Sequence, residues 1–335
     1  MKRFIIIGLM VLLSSCDIAS VANKKINGVS FVASRDSINN THVTPVINLQ
    51  ANYVAIMPFG FIRNLEHPRI TYNSNRQWFG ETKEGVQQYV KAFKTQRIRV
   101  MIKPQIWVSR GEFTGKIKMN TEDAWTELEE TYSGFILDFA KVAEETQTGL
   151  FCIGTELETF IDHRPEFWSE LISRIRKVYS GKLTYAANWN EYNRTPFWNQ
   201  LDFIGIDSYF PVSNLKTPSV ESCKQGWESY KPQLKIFSEN LKKPVLFTEF
   251  GYRSVDYAGN QPWESDRRMN AVNLEAQLNA TQALFETFWN ENWFAGGFIW
   301  KWHHKHDSSG GEENFMFTPQ NKPVEVLVED WYTRY

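Results

Sequence analysis

Beyond its first 26 residues the chain alternates two hydrophobic periods. Short, almost unbroken apolar runs recur at 28–33, 53–59, 97–107, 150–156, 183–189, 203–209, 245–250 and 295–302. Runs that are apolar at every position, not at alternate ones, predict strands covered on both faces, as in a parallel sheet. Most of the intervals between them carry the helical period. Trp125, Leu128, Tyr132, Phe135, Ile136, Phe139 and Val142 fall on one face, as do Phe167, Leu171, Ile172, Ile175 and Val178, and then Leu274, Leu278, Leu284, Phe285 and Phe288. Segment 324–332 supplies a closing helix. Eight strand–helix units in about 300 residues predict an α/β fold, a single (β/α)8 TIM barrel. Four long segments, 61–81, 109–123, 212–219 and 252–268, follow the second, third, sixth and seventh strands. In such a barrel they form the face where the strands' C-terminal ends emerge.

Two of the runs end in the same way, Leu150-Phe-Cys-Ile-Gly-Thr-Glu156 and Pro244-Val-Leu-Phe-Thr-Glu249. An ionised carboxylate is costly to bury without a partner, so a Glu at the end of an apolar strand points either to a site or to a basic partner. Two carboxylates at strand ends suit glycoside cleavage. One donates a proton to the leaving oxygen, and in the retaining mechanism the other attacks the anomeric carbon. Glu158, two residues on, shares the parity of Glu156 in an extended chain and is a rival, although it falls in the loop. Lys103 on the third strand needs a carboxylate or the site to face, and Asp207 can partner such a base. Tyr209 is placed either to bind the seventh-strand Glu or to fill the core. Trp300 and Trp302 share parity, so one or both should point into the barrel mouth. Trp107 and Trp189 are sugar platforms or packing residues.

Composition narrows the classes. The 335 residues carry a net charge of −1, which implies no general attraction to nucleic acid or anionic lipid. The chain is 15% aromatic, with 13 Trp, 13 Tyr and 24 Phe, compatible with stacking on sugar faces but more simply read as an aromatic core. Lys2 and Arg3 precede an apolar run over 4–13, and small residues then lead to Cys16. That is the layout of a secretory signal, too short to span a bilayer comfortably. Leu13-Ser14-Ser15-Cys16 resembles a bacterial lipobox, in which the Cys is lipidated. The expected organisation is a signal peptide at 1–15, a lipidated tether at 16–26 and a barrel at 27–335. The protein is then an exported lipoprotein of a bacterial envelope, membrane and face left open. Cys152 lies in an apolar run and reads as a small hydrophobe; a disulfide with Cys223 is permitted but not indicated. The run His303-His304-Lys305-His306-Asp307 is too dense for a rigid metal shell and reads as a solvated loop. Neither metal nor cofactor is expected. The expected partners are a poly- or oligosaccharide and, through the anchor, a membrane, with a monomeric chain and no nucleic acid.

Gly28-Val-Ser-Phe, Lys103-Pro104, Ile153-Gly-Thr-Glu156-Leu-Glu, Asn188-Trp189, Gly205-Ile-Asp-Ser-Tyr209 and Thr248-Glu249-Phe-Gly-Tyr together resemble glycoside hydrolase family 113. The resemblance spans about 28–302. It implies a retaining enzyme with Glu156 as acid/base on strand four and Glu249 as nucleophile on strand seven, acting on β-1,4-mannan or manno-oligosaccharides. A β-glucan or other hemicellulose hydrolase, or a non-catalytic glycan-binding lipoprotein, are the alternatives. In the wider clan an Asn precedes the acid/base and binds the sugar 2-hydroxyl. Here that position is Thr155, with Asn188 available for the contact, and Trp300 or Trp302 is the residue expected under the sugar at the cleavage site.

Overall fold

A computed structural model describes residues 24–266, 268 and 270–335. The signal segment, Cys16 and most of the tether lie outside the described residues. Eight strands close a parallel barrel: β1 Ile26–Phe31, β2 Tyr53–Ile56, β3 Arg99–Ile102, β4 Leu150–Thr155, β5 Lys182–Asn188, β6 Ile204–Ser208, β7 Val245–Phe250 and β8 Phe294–Trp302. Each pairs with its neighbour in sequence, and β8 returns to β1. The strands occur where the unbroken apolar runs predict them.

Two runs break where the sequence reading continued them. The stretches 53–59 and 97–107 each contain a proline, Pro58 and Pro104. Proline has no N–H to give to a ladder. There the chain leaves the barrel and forms a small parallel sheet of Phe59–Ile62 and Gln105–Val108, seeded by the Gln105 N–H on the Pro58 carbonyl at 2.9 Å. The barrel interior is filled by Ile26, Tyr53, Ala55, Met101, Leu150, Cys152, Ala186, Leu246 and Phe298. Gly28 is required here, because a Cβ would stand 2.4 Å from the Phe298 ring.

Outside the barrel, the helices Glu122–Glu145, Pro165–Val178 and Leu274–Phe288 bury the apolar stripes read from the sequence. The last helix, Pro323–Arg334, closes over the start of β1. The Tyr332 hydroxyl donates to the Gly28 carbonyl at 2.7 Å, and Asn27 Nδ2 donates to the Tyr332 carbonyl at 3.1 Å. Residues 25 and 26 belong to the barrel, not to a tether. Ile26 opens β1, and the Lys25 ammonium donates to the carbonyls of Glu291 and Phe294, at 2.6 and 2.5 Å. Cys152 and Cys223 are both buried free thiols. The histidine run is not a solvated loop: His303 is partly buried, its N–H bonded to Gln320 Oε1 at 2.7 Å, and His306 Nε2 lies 2.6 Å from Glu325 Oε1 on the closing helix.

Candidate active site

The ends of β3, β6 and β7 bring one lysine between two carboxylates. Lys103 is the last residue before Pro104, and its N–H still pairs with the Ile56 carbonyl at 2.8 Å. Its ammonium is fully buried, 2.6 Å from Glu249 Oε1 and 2.9 and 3.2 Å from the two Asp207 oxygens. Burial opposes the charge, but Asp207 and Glu249 outweigh it and raise the Lys103 pKa. Asp207 and Glu249 are register partners on β6 and β7, and Asn188 is the partner of Asp207 on β5. The three therefore form a row across the barrel mouth. Thr248 Oγ1 donates to Asp207 at 2.7 Å. Burial, and then the charge of Glu249, push Asp207 up to about 7 against the pull of Lys103.

Glu249 receives three hydrogen bonds. Lys103 and Gln105 Nε2 (3.0 Å) share Oε1, and the Tyr209 hydroxyl donates to Oε2 at 2.8 Å. Donors of this kind suit an ionised carboxylate. Tyr209 thus binds the seventh-strand Glu, and Lys103 is paired, as the sequence reading required. Gln105 was missed, although it shares the parity of Lys103 and Trp107 in an extended run.

Glu156 lies just past β4 in a different environment. It has φ 50°, a left-handed conformation that costs a non-glycine residue roughly 1–2 kcal/mol. The backbone there is tied on each side. Its N–H donates to the Ala186 carbonyl at 2.8 Å, and its carbonyl accepts from Thr114 Oγ1 at 3.2 Å. The carboxyl is partly screened from solvent, and burial together with the charges of Asp207 and Glu249 raises its pKa well above the usual range, against Lys103. Glu158 opens the short helix Glu158–His163 and lies 3.5 Å from Arg194, so it is engaged elsewhere.

Thr155 and Asn188 are half-buried beside Glu156 and Asp207. Asn188 Oδ1 is buried with no hydrogen-bond partner among the described residues, leaving an acceptor at the mouth. Trp300 is half-exposed at the end of β8. Trp302 is not in the mouth: it is fully buried against the His306 ring. The β1–β8 register shifts between Val29 and Phe31, so equal parity does not carry both tryptophans to the same place, and the Trp302 carbonyl is still bonded to the Val32 N–H at 2.9 Å. Trp107 stands 49% exposed on the small sheet, paired with Phe61. Trp189 stacks on Trp263 with ring centres 5.4 Å apart and planes at 18°. Trp263 was also missed, because it lies in a loop without periodicity. Among the described residues, the exposed large aromatics are Trp78, Trp107, Phe113, Tyr257 and Trp263, and all follow β2, β3 or β7 on this same face.

Fold and site together define a (β/α)8 enzyme whose cleft is built around carboxylates at strand ends. Residues 33–322 match the model of Glycoside Hydrolase Family 113, and the chain belongs to that family. It is a retaining glycoside hydrolase. Among solved structures it is similar to the GH113 β-mannanase AaManA of Alicyclobacillus acidocaldarius, with 24% identity, 92% of this chain and 97% of the other covered, and a TM-score of 0.78. A GH113 β-1,4-mannanase complex matches with 20% identity, 93% and 100% coverage and a TM-score of 0.81. A β-glucuronidase of Ruminococcus gnavus shares the fold more distantly, with 13% identity, 88% of this chain but 46% of its own, and a TM-score of 0.58. No curated protein matches the chain in sequence.

Proposed function

We propose that the protein hydrolyses β-1,4-linked mannan or manno-oligosaccharides, with Glu249 as nucleophile and Glu156 as acid/base. The observation that carries the roles is the contrast between the two carboxyls. Glu249 is surrounded by three donors, one of them an ammonium. Glu156 sits in a field of burial and negative charge that raises its affinity for a proton. A carboxylate held by donors and a carboxyl set in negative surroundings divide into a nucleophile and an acid.

In the first step a Glu249 oxygen attacks the anomeric carbon while Glu156 gives its proton to the departing glycosidic oxygen. The glycosyl ester consumes the Glu249 charge, which lowers the affinity of Glu156 for a proton. Glu156 then takes a proton from the incoming water, whose oxygen displaces Glu249, and two inversions return the β-configuration. Tyr209, Gln105 and Lys103 hold the nucleophile. Trp300 offers a ring to the sugar at the cleavage point, and Thr155 and Asn188 offer polar atoms to its hydroxyls. Trp107 and Trp189, with Trp263 stacked on the latter, extend the aromatic surface along the face, as a polymeric substrate requires. Mannan as substrate is supported by the family and by the mannanases of like fold.

The test is product analysis on a panel of β-mannan, xylan and cellulose oligosaccharides with wild type and Glu249→Ala. Manno-oligosaccharides should be cleaved fastest, with β-configured first products by proton NMR. Glu249→Ala should lose several powers of ten in rate, since covalent catalysis is removed outright. Faster cleavage of xylan or cellulose overturns the substrate, and a folded, active Glu249→Ala overturns the nucleophile.

The same proposal extends to the N-terminus. The tetrapeptide ending in Cys16 supports lipid attachment there after removal of residues 1–15, and hence a cell-envelope location.

A further inference from the structure

Glu191 is a buried carboxylate beside the site that the mechanism above does not use. It sits in the turn after β5 and makes two bonds. Its Oε1 accepts from the Tyr185 hydroxyl at 2.9 Å, and its Oε2 accepts from the Asn188 N–H at 2.9 Å. The Tyr185 hydroxyl in turn accepts the Leu157 N–H at 2.6 Å. Leu157 directly follows Glu156, so a chain of two hydrogen bonds joins Glu191 to the peptide that leaves Glu156. Together with the Ala186 carbonyl on the Glu156 N–H, β5 and its turn hold Glu156 from both sides. That Glu156 adopts φ 50° makes such holding necessary, because a left-handed Glu relaxes unless its neighbours fix it.

We propose that Glu191 is a positioning residue which, through the Tyr185 hydroxyl, fixes the Glu156–Leu157 peptide and with it the Glu156 carboxyl, while through the Asn188 N–H it fixes the adjacent sugar-binding amide. The inference rests on Glu156 being the acid/base. Glu191 also adds negative charge to the field at Glu156, alongside Asp207 and Glu249 and against Lys103. The charged groups facing Glu191 itself are Glu158, opening the short helix Glu158–His163, and Arg194, with burial the main influence and pushing it up to about 7. Arg194 is occupied by Glu158 and Asp162, at 3.5 and 3.0 Å.

The two contributions separate by experiment. In Glu191→Gln both the bonding and the charge change. In Tyr185→Phe the charge stays and the link to Leu157 is lost. For each, kcat/KM is measured from pH 4 to 9 on mannotetraose and on 2,4-dinitrophenyl β-mannoside, whose leaving group needs no proton. Both variants should lose on the order of tenfold or more on mannotetraose, the cost of a slightly misplaced acid, and far less on the aryl mannoside. Only Glu191→Gln should move the alkaline limb, and to lower pH, by roughly half a unit or more, since a negative neighbour that opposed loss of the Glu156 proton is gone. Equal losses on both substrates with an unmoved limb overturn the proposal, as does wild-type behaviour of Tyr185→Phe. Should Glu191→Gln not fold, the leaving-group split in Tyr185→Phe decides alone. Azide rescue of Glu156→Ala is measured in parallel. If rescue fails, the acid/base assignment falls and this role with it; if rescue succeeds and the variants are silent, only the positioning role is overturned.

Discussion

Lys103→Met is the most discriminating perturbation of the site, because Lys103 is the cation shared by two buried carboxylates. The substitution keeps most of the volume, so packing is little changed and the electrostatic loss dominates. Removing one partner of a buried ion pair costs about 3–5 kcal/mol, a large part of the roughly 5–15 kcal/mol that stabilises a domain. For a chain of this size that corresponds to a fall in melting temperature of about 4–7 °C at neutral pH. The pH dependence follows in sign. In the wild type the raised Lys103 pKa keeps its contribution intact below the unfolded value near 10.4, so between pH 5 and 8 it is fully present. In the variant only the Thr248 hydroxyl still opposes burial and the Glu249 charge at Asp207, whose carboxyl already stands at about 7 with the lysine in place. A group raised in the folded state contributes stability below its unfolded value, near 3.9, and that contribution is lost as pH rises through the folded value. Lys103→Met should therefore be least impaired near pH 5 and worst at pH 8. Thermal unfolding followed by circular dichroism at pH 5, 6, 7 and 8 measures this directly. A fall of the same size at every pH, or one under about 2 °C, would refute the shared-cation account. Losing a charged hydrogen bond to Glu249, worth about 1.5–3 kcal/mol, should also lower kcat by roughly 10- to 150-fold.

Tyr209→Phe removes one donor from Glu249 Oε2 and should lower kcat by about 10- to 100-fold without raising KM in step; an unchanged kcat means the hydroxyl does not serve the nucleophile. Trp263→Ala uncovers one face of Trp189 and should weaken binding of long oligosaccharides by about tenfold while leaving the shortest substrates unaffected, which KM against chain length reports. Cys16→Ala should move the protein from the membrane fraction to the soluble fraction; unchanged membrane association rules out lipid at that residue.

The barrel was legible because its strands are buried on both faces and so appear as unbroken apolar runs, which few other arrangements produce. The two errors of extent, at Pro58 and Pro104, came from reading through a residue that cannot pair. They matter, because the break at Pro104 is what frees Gln105 to reach Glu249. Within the site, the strand ends bring Lys103, Asp207, Tyr209 and Glu249 into one hydrogen-bonded cluster, since strand geometry leaves an end residue little choice of direction. Trp302 failed because parity assumes an unshifted register. Glu191 and Trp263 were not legible. Both sit in turns, where no periodicity says what a side chain meets, and Glu191 is identified only by the tyrosine and the amide that converge on it.

The ties of Lys25 to the carbonyls of Glu291 and Phe294 fix more than the start of β1. They pin the entering chain to the floor of the barrel, at the opposite end from the cleft. From Cys16 to Lys25 is nine residues, which fully extended reach about 30 Å. With lipid on Cys16, the enzyme would ride within that distance of the bilayer, tethered by its floor. The cleft would then face outward into the glycan-bearing space, open to polymers too large to approach a membrane surface closely, and cut chains would leave on the side from which they came.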